Sequence, residues 1–238
     1  MFFDYTYLLS MPNYLYGINK KKFNSEGIVL SNYGCVKSKL VLEKKIVKQL
    51  ESQLYPFLEN SKSINKKRIH KTNLLTKRNI DILKKSKIWK QIINIASYGL
   101  KRNAYLKQGS ITFLDSPNKS LEYGNQRWHH DNKGNQVKCM ILMSDNSING
   151  QVTSYITKSH KTLRLKYDPN SRYSNNQVEI FLKKGEKVDL YGKKGDIYFI
   201  HTNGAHRGNC RINSNPRTLI SINFAPRFAR EVKNELFY

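Results

Sequence analysis

The sequence predicts a mainly β protein with N-terminal helices, an α+β chain, and three observations carry that reading. Apolar residues recur at helical intervals in the first half, they alternate along short segments in the second, and turn residues separate those segments. In the first half, Leu42, Ile46, Leu50 and Leu54 lie four apart and form one apolar stripe on a helix over 38–54, which Pro56 should end. Residues 61–78 are lysine-rich and aperiodic, and read as a surface loop. A second helical stretch covers 79–98 and breaks near Ser86, which can cap the segment that follows. Gly99 is suited to the position just past its end.

In the second half, Val137, Cys139, Ile141 and Met143 alternate with Lys138, Met140, Leu142 and Ser144. Similar short runs cover 152–157, 188–191, 197–202 and 218–224. Asn149-Gly150, Gly192, Lys194-Gly195-Asp196 and Asn215-Pro216 punctuate them. Short strands so divided suggest a sandwich or jelly roll. The organisation expected is one domain over 1–238, with 1–107 mostly helical and 108–226 forming the β core.

A chain of 238 residues can bury a core without staples. With 39% hydrophobic and 11% aromatic residues it is globular rather than disordered. No apolar run reaches the roughly 18 residues of a membrane-spanning helix. The first lysines follow the N-terminal apolar part, the reverse of a secretory signal, so a cytoplasmic protein is expected. Cys35, Cys139 and Cys210 cannot all pair and match no zinc spacing; they read as reduced thiols, with Cys139 in the core.

Lysine and arginine number 42 against 17 acidic residues, a net charge of +25. Such a charge can attract nucleic acid, a phospholipid surface or a phosphorylated or carboxylated substrate. Yet Lys, Asn and Ile are abundant together throughout, as in an AT-rich genome, and the basic runs Lys20–Lys22 and Lys66–Arg68 are short and lack interleaved aromatics. Codon bias therefore predicts lysines on every face and a site no more basic than the rest. Lys138 is excepted, because its alternation with Met140 and Leu142 can turn it into the β core.

The chemistry centres on Arg127-Trp128-His129-His130-Asp131. In extended backbone, residues i and i+2 share a face, so His129 and Asp131 can reach one ion. An imidazole and a carboxylate suit Fe(II), and a third ligand would complete one face of the metal. His-x-Asp alone is a common chance triplet. A second segment runs from Gly195-Asp196 through a glycine-containing turn to His206, and Arg217 then opens the alternating run RTLISINF. Leu219, Ser221 and Asn223 share the Arg217 face, so a guanidinium and a hydroxyl could together clamp a carboxylate.

Taken together, these pieces resemble the phytanoyl-CoA dioxygenase superfamily of Fe(II)/2-oxoglutarate oxygenases. Trp128-His129-His130-Asp131 resembles its tryptophan–histidine–x–aspartate start, and Asn149-Gly150 with Ser159-His160-Lys161 resembles its central segment. Ala205-His206-Arg207-Gly208 is similar to its distal histidine turn, and Arg217 follows at the family's interval. The match covers roughly 108–226. The chain departs from the pattern at Gln151 for proline, Lys158 for glycine and Leu219 for serine, which leaves Ser221, Thr112 and Lys138 only as candidates beside Arg217.

The resemblance implies a double-stranded β-helix (jelly roll, cupin-like) with catalytic iron on His129, Asp131 and His206 and 2-oxoglutarate held by Arg217. It also implies a dioxygen-dependent hydroxylation coupled to decarboxylation of 2-oxoglutarate. Asp131 argues for hydroxylation and against halogenation, because halogenating relatives carry a small residue there. The substrate expected is a small molecule, a sugar or glycan, or a lipid-linked group. The competing readings are a non-catalytic basic barrel that binds nucleic acid or anionic lipid, and a cupin-like metal enzyme that does not use 2-oxoglutarate. The intact triad speaks against the first and Arg217 against the second. His130 should face away from His129, while His160, His201 and Trp128 read as structural or packing residues.

Overall fold

A computed structural model describes residues 24–64, 70–114, 126–131, 135–161, 171–209 and 215–226. Along these, the elements are α1 (Ser25–Tyr33), β1 (Cys35–Val41), α2 (Lys44–Ile64), β2 (His70–Leu74), α3 (Lys77–Lys84), α4 (Trp89–Leu100), β3 (Tyr105–Leu114), β4 (Val137–Leu142), β5 (Val152–Ile156), α5 (Asn175–Leu182), β6 (Lys187–Asp189), β7 (Asp196–His201), β8 (His206–Asn209) and β9 (Arg217–Ala225). One sheet has the order β1-β7-β4-β9-β3-β2 and a smaller one the order β6-β5-β8, with every neighbouring pair antiparallel.

Alternation along β4 and β9 explains the layers. Val137, Cys139 and Ile141, with Ile220, Ile222 and Phe224, face Leu50, Leu83, Ile92 and Ile95 of the helices. The opposite face turns Met140, Leu142 and Leu219 toward Tyr155 and Leu190, between the sheets. Behind the small sheet, Val178 and Phe181 of α5 close over Ile156 and Ala205. Lys138, Arg217 and Ser221 therefore fall on the inter-sheet face, where the alternation places them.

The first half departs from the helical reading in four places. Residues 35–41 form β1, paired with β7 in register Cys35↔Ile200, and the helix starts only at Lys44. Leu42 still reaches the core, from outside the helix. Pro56 lies inside α2 rather than ending it. An interior proline removes one hydrogen bond and costs about 3 kcal/mol, which the buried stripe Ile46, Val47, Leu50 and Leu54 offsets. The expected loop over 61–78 contains β2, paired with β3, and the start of α3.

Helices α3 and α4 do break at Ser86, whose hydroxyl accepts the Ile88 N–H at 3.3 Å. Gly99 is not past the end of α4 but within it, and Lys101 takes the left-handed capping conformation at φ 55. A side chain at Gly99 would put Cβ 2.4 Å from Leu30 Cδ2, so glycine is needed there for the close approach of α1. Cys35 and Cys139 are buried free thiols, both with pKa raised by burial, Cys35 to about 12. Cys210, the N-terminal segment, and the run Lys66–Arg68 lie outside the described residues. Among the described residues no helix is long and apolar enough to cross a membrane.

Two histidines, His201 buried and His160 half-buried, tie the helices to the sheet. The His201 ring donates from Nε2 to the Gly99 carbonyl at 2.9 Å, the His160 ring from Nε2 to the Ser31 carbonyl at 3.1 Å, and the rings stack at 4.9 Å. Burial pushes the pKa of His201 down to about 3 and that of His160 to about 4; His160 acts the same way on His201, Lys161 on His160, and Lys101 on both. An unfolded histidine titrates near 6.5. Below that pH the unfolded chain binds protons that the folded one excludes, so stability falls as pH drops from 6.5 toward 4. Urea denaturation at about pH 7 and pH 5 should show a loss on the order of 2–4 kcal/mol. A His201→Gln variant should lose less, and an equal loss in both proteins would refute the assignment.

Candidate metal centre

Backbone pairing brings the two histidines together. The His129 N–H donates to the His206 carbonyl at 3.0 Å, and the His206 N–H donates to the His129 carbonyl at 2.9 Å. Directly opposed residues of an antiparallel pair project from the same face. Their rings accordingly lie 4.3 Å apart. Asp131, two residues on, is fixed by its N–H to the Thr202 carbonyl at the end of β7, 2.9 Å away.

The ring orientations are set by main-chain carbonyls. His129 Nδ1 lies 2.8 Å from the Arg127 carbonyl and His206 Nδ1 lies 2.8 Å from the Gly204 carbonyl. A carbonyl only accepts, so each Nδ1 carries the proton and each Nε2 presents a lone pair. Asp131 Oδ1 is 3.9 Å from His129 Nε2 and 3.5 Å from His206 Nε2, and one ligand atom from each of the three lies within 4.8 Å of the others. These three side chains would hold a divalent ion between them, two imidazole nitrogens and a carboxylate oxygen being a donor set that suits Fe(II). His206 Nε2 is buried and makes no hydrogen bond among the described residues, as a metal ligand should.

Electrostatics favour the metal-binding protonation states. Burial, then the neighbouring His206, hold the His129 pKa well below 6.5. Burial alone would raise the Asp131 carboxyl, but Lys138 and the two histidines outweigh it and keep it ionised. Lys138 Nζ binds Asp131 Oδ2 at 2.7 Å, leaving Oδ1 for the histidine side. The interior position expected of Lys138 is thus found, and its anion is Asp131 itself.

The same pocket is lined by Arg217, Ser221 and Thr112. Arg217 is 5% exposed, donates from Nη1 to Thr153 Oγ1 at 2.8 Å, and has a buried Nε with no hydrogen-bond partner among the described residues. Burial lowers its pKa only to about 10, so it stays a cation at neutral pH. Ser221 follows on the same face of β9, whereas the Thr112 hydroxyl is bonded to that of Thr72 at 3.1 Å. Thr153 carries no motif and was not visible in the sequence; the β5–β9 juxtaposition reveals it.

The remaining motif residues form walls. His130 is buried with its ring 5.4 Å from that of Tyr173, and Trp128 packs on the α5 cluster beneath the Arg207 guanidinium, 4.8 Å from its ring centre. His160 and His201 stay outside the ligand group. The site is more basic than codon bias predicts. Of the six described arginines, Arg207 and Arg217 line the pocket and Arg127 and Arg172 lie near enough to interact with it, while among the described residues Asp131 is the one acid lining it.

Gly204 supplies the carbonyl that orients His206, and a Cβ there would lie 1.8 Å from Tyr155 Oη. Tyr155 is fully buried and cannot retreat cheaply. Gly204→Ala should therefore weaken metal affinity about 10- to 100-fold, the usual effect of losing a ligand's outer partner. Metal titration with wild-type affinity in the variant would exclude this role.

No protein-family profile and no curated protein matches the sequence. Solved structures do match. AviO1 from Streptomyces viridochromogenes aligns with a TM-score of 0.64 at 14% identity, over 86% of this chain and 95% of that one. The epimerase SnoN, solved with Fe3+, alpha ketoglutarate and nogalamycin RO, aligns with a TM-score of 0.64 at 14% identity, over 84% and 82% of the two chains. EctD from S. alaskensis with bound Fe aligns with a TM-score of 0.63 at 14% identity, over 90% and 80%. The shared fold is the double-stranded β-helix. At this identity the likeness establishes the fold, and the chemistry rests on the site.

Proposed function

We propose that this protein is an Fe(II)- and 2-oxoglutarate-dependent oxygenase of the phytanoyl-CoA dioxygenase type that hydroxylates a small molecule or glycan. The observation that carries the reading is the conjunction in one pocket of His129, Asp131 and His206 with a buried Arg217 that pairs with no carboxylate among the described residues. Two neutral imidazoles and a carboxylate suit Fe(II) and leave sites for other ligands. Bound iron, with 2-oxoglutarate and dioxygen, would supply the oxidising power for attack on an unactivated C–H bond.

The chain's own part is positioning. The Arg127 and Gly204 carbonyls fix the imidazole tautomers, and Lys138 orients Asp131. Arg217 would pair with the distal carboxylate of 2-oxoglutarate, with Thr153 holding the guanidinium and Ser221 nearby on the same strand. Similar structures include an epimerase and the carbocyclase SnoK as well as EctD, crystallised with 5-hydroxyectoine. Hydroxylation is the reading that the full triad and the sequence resemblance favour. The test is succinate release from 2-oxoglutarate across a panel of small molecules and sugars. Dependence on Fe(II) is the expected result, and Fe(II)-independent or absent release would refute the proposal.

A further inference from the structure

We propose that Arg172 recognises an anionic group of the substrate, a phosphate, sulfate or carboxylate, beside the metal. The inference rests on the functional reading above and names the substrate class for that same site. Its basis is a row of side chains across the small sheet. His129 is bridged to His206 on one side and to Arg172 on the other, while His206 faces Tyr155 on β5. The Arg172 bridge is flanked by His130 N–H to Ser171 carbonyl at 3.0 Å and Tyr173 N–H to Trp128 carbonyl at 2.9 Å, which makes His129 and Arg172 a close, non-hydrogen-bonded pair. Opposed residues share a face, so Arg172 projects from the same side as the two histidines.

Among the described residues the charges around Arg172 are unbalanced. It is half-buried, and its side-chain contact is a long hydrogen bond to Ser171 Oγ, 3.4 Å. No carboxylate lies within ion-pair distance of it among the described residues, although Lys37, Lys138, Lys187 and Lys194 each have one. Burial and the neighbouring Arg127 both disfavour its charge, and Asp131 is the acid that acts against them. Asp131 is already committed to Lys138 and to the histidines.

2-Oxoglutarate does not fill this need. Arg217 is bonded to Thr153 on β5, and Arg172 stands three strands away across β8 and His129, about 14 Å at ordinary strand spacing. A cosubstrate that reaches from Arg217 to the histidines has both carboxylates engaged before it meets Arg172. Arg172 then remains as a forked donor for a further oxyanion, with Arg127 behind it.

The first measurement is titration of inorganic phosphate into the protein loaded with Fe(II) and 2-oxoglutarate under anaerobic conditions, followed by thermal melting. A saturable rise is expected in the wild type, none in Arg172→Ala and part of it in Arg172→Lys. An equal response in the wild type and the alanine variant, or none in the wild type, overturns the proposal. Titration of 2-oxoglutarate into the same variants shows that they are folded. Its midpoint should shift in Arg217→Ala and stay within about twofold in Arg172→Ala.

The second measurement is succinate release with sugar phosphates, sugar sulfates, uronic acids and their neutral parents. The charged members should stimulate turnover, Arg172→Ala should lower that preference about tenfold or more, and the best class identifies the anion. Equal stimulation by neutral sugars refutes the assignment. If the protein binds no Fe(II), the functional reading fails. Phosphate titration of the metal-free Arg172→Ala and Arg217→Ala variants then still decides which arginine takes the anion.

Discussion

Asp131→Ala is expected to abolish Fe(II)-dependent turnover and to lower metal affinity by more than the roughly 10- to 100-fold that follows loss of an outer partner. The reason is that Asp131 is the sole anionic ligand of the set, and two neutral imidazoles alone supply no charge to a divalent ion. The variant also leaves Lys138 without its partner. Both side chains of that pair keep only about a fifth of their surface exposed, 19% and 22%, so the loss to the metal-free protein should lie between the roughly 1 kcal/mol of an exposed pair and the roughly 3–5 kcal/mol of a buried one. The two effects separate cleanly in a melting experiment. Wild-type protein gains stability with metal by mass action, and the variant should gain none at the same concentration. A variant stabilised by metal like the wild type would remove Asp131 from the site.

The readable parts of this chain are those where one physical rule dominates. Alternation in 137–143 and 218–224 is decided by two unlike faces, one under helices and one between sheets, so the strands and the inward turn of Lys138 could be read from residue order, while their pairing and register could not. The same-face rule applied to His129 and Asp131, and the spacing to His206, named three side chains that the fold does bring within 4.8 Å. Where two rules compete, the sequence misleads. Residues 38–41 precede the apolar stripe and read as the start of its helix, but pairing of β1 with β7 takes them into the sheet. Gly99 looks like a terminator locally, yet it serves a contact with Leu30 that is distant in sequence.

The outer parts of the site were hidden for a related reason. Thr153 and the Arg127 and Gly204 carbonyls act through positions fixed by strand pairing, as does the role proposed for Arg172, and none has a residue type that marks it. The charge shows the opposite error. Lysine abundance obscured the arginines that gather at the candidate metal site, because a net charge of +25 counts both residues alike. An arginine's planar fork, rather than charge alone, distinguishes a recognition site from a solvated surface.

Arg217→Ala should weaken 2-oxoglutarate binding by about 2–5 kcal/mol, the usual loss for a buried charge partner, or roughly 30-fold to several thousandfold. The magnitude follows from burial: Arg217 is 5% exposed, stays protonated with a pKa near 10, and among the described residues its guanidinium donates to the Thr153 hydroxyl alone. A carboxylate arriving there meets a cation already stripped of water, so its attraction is little screened. The metal-free protein should respond differently. Deleting the side chain leaves a cavity but also relieves a buried cation with an unsatisfied Nε, and these opposing terms should leave the melting temperature nearly unchanged. Arg217→Lys keeps the charge and loses the fork, so it should recover only part of the affinity. Metal titration should be close to wild type in both variants, because Arg217 is not among the ligands. Anaerobic titration of 2-oxoglutarate into Fe(II)-loaded protein measures the effect, and an unchanged midpoint in the alanine variant would exclude Arg217 as the cosubstrate anchor.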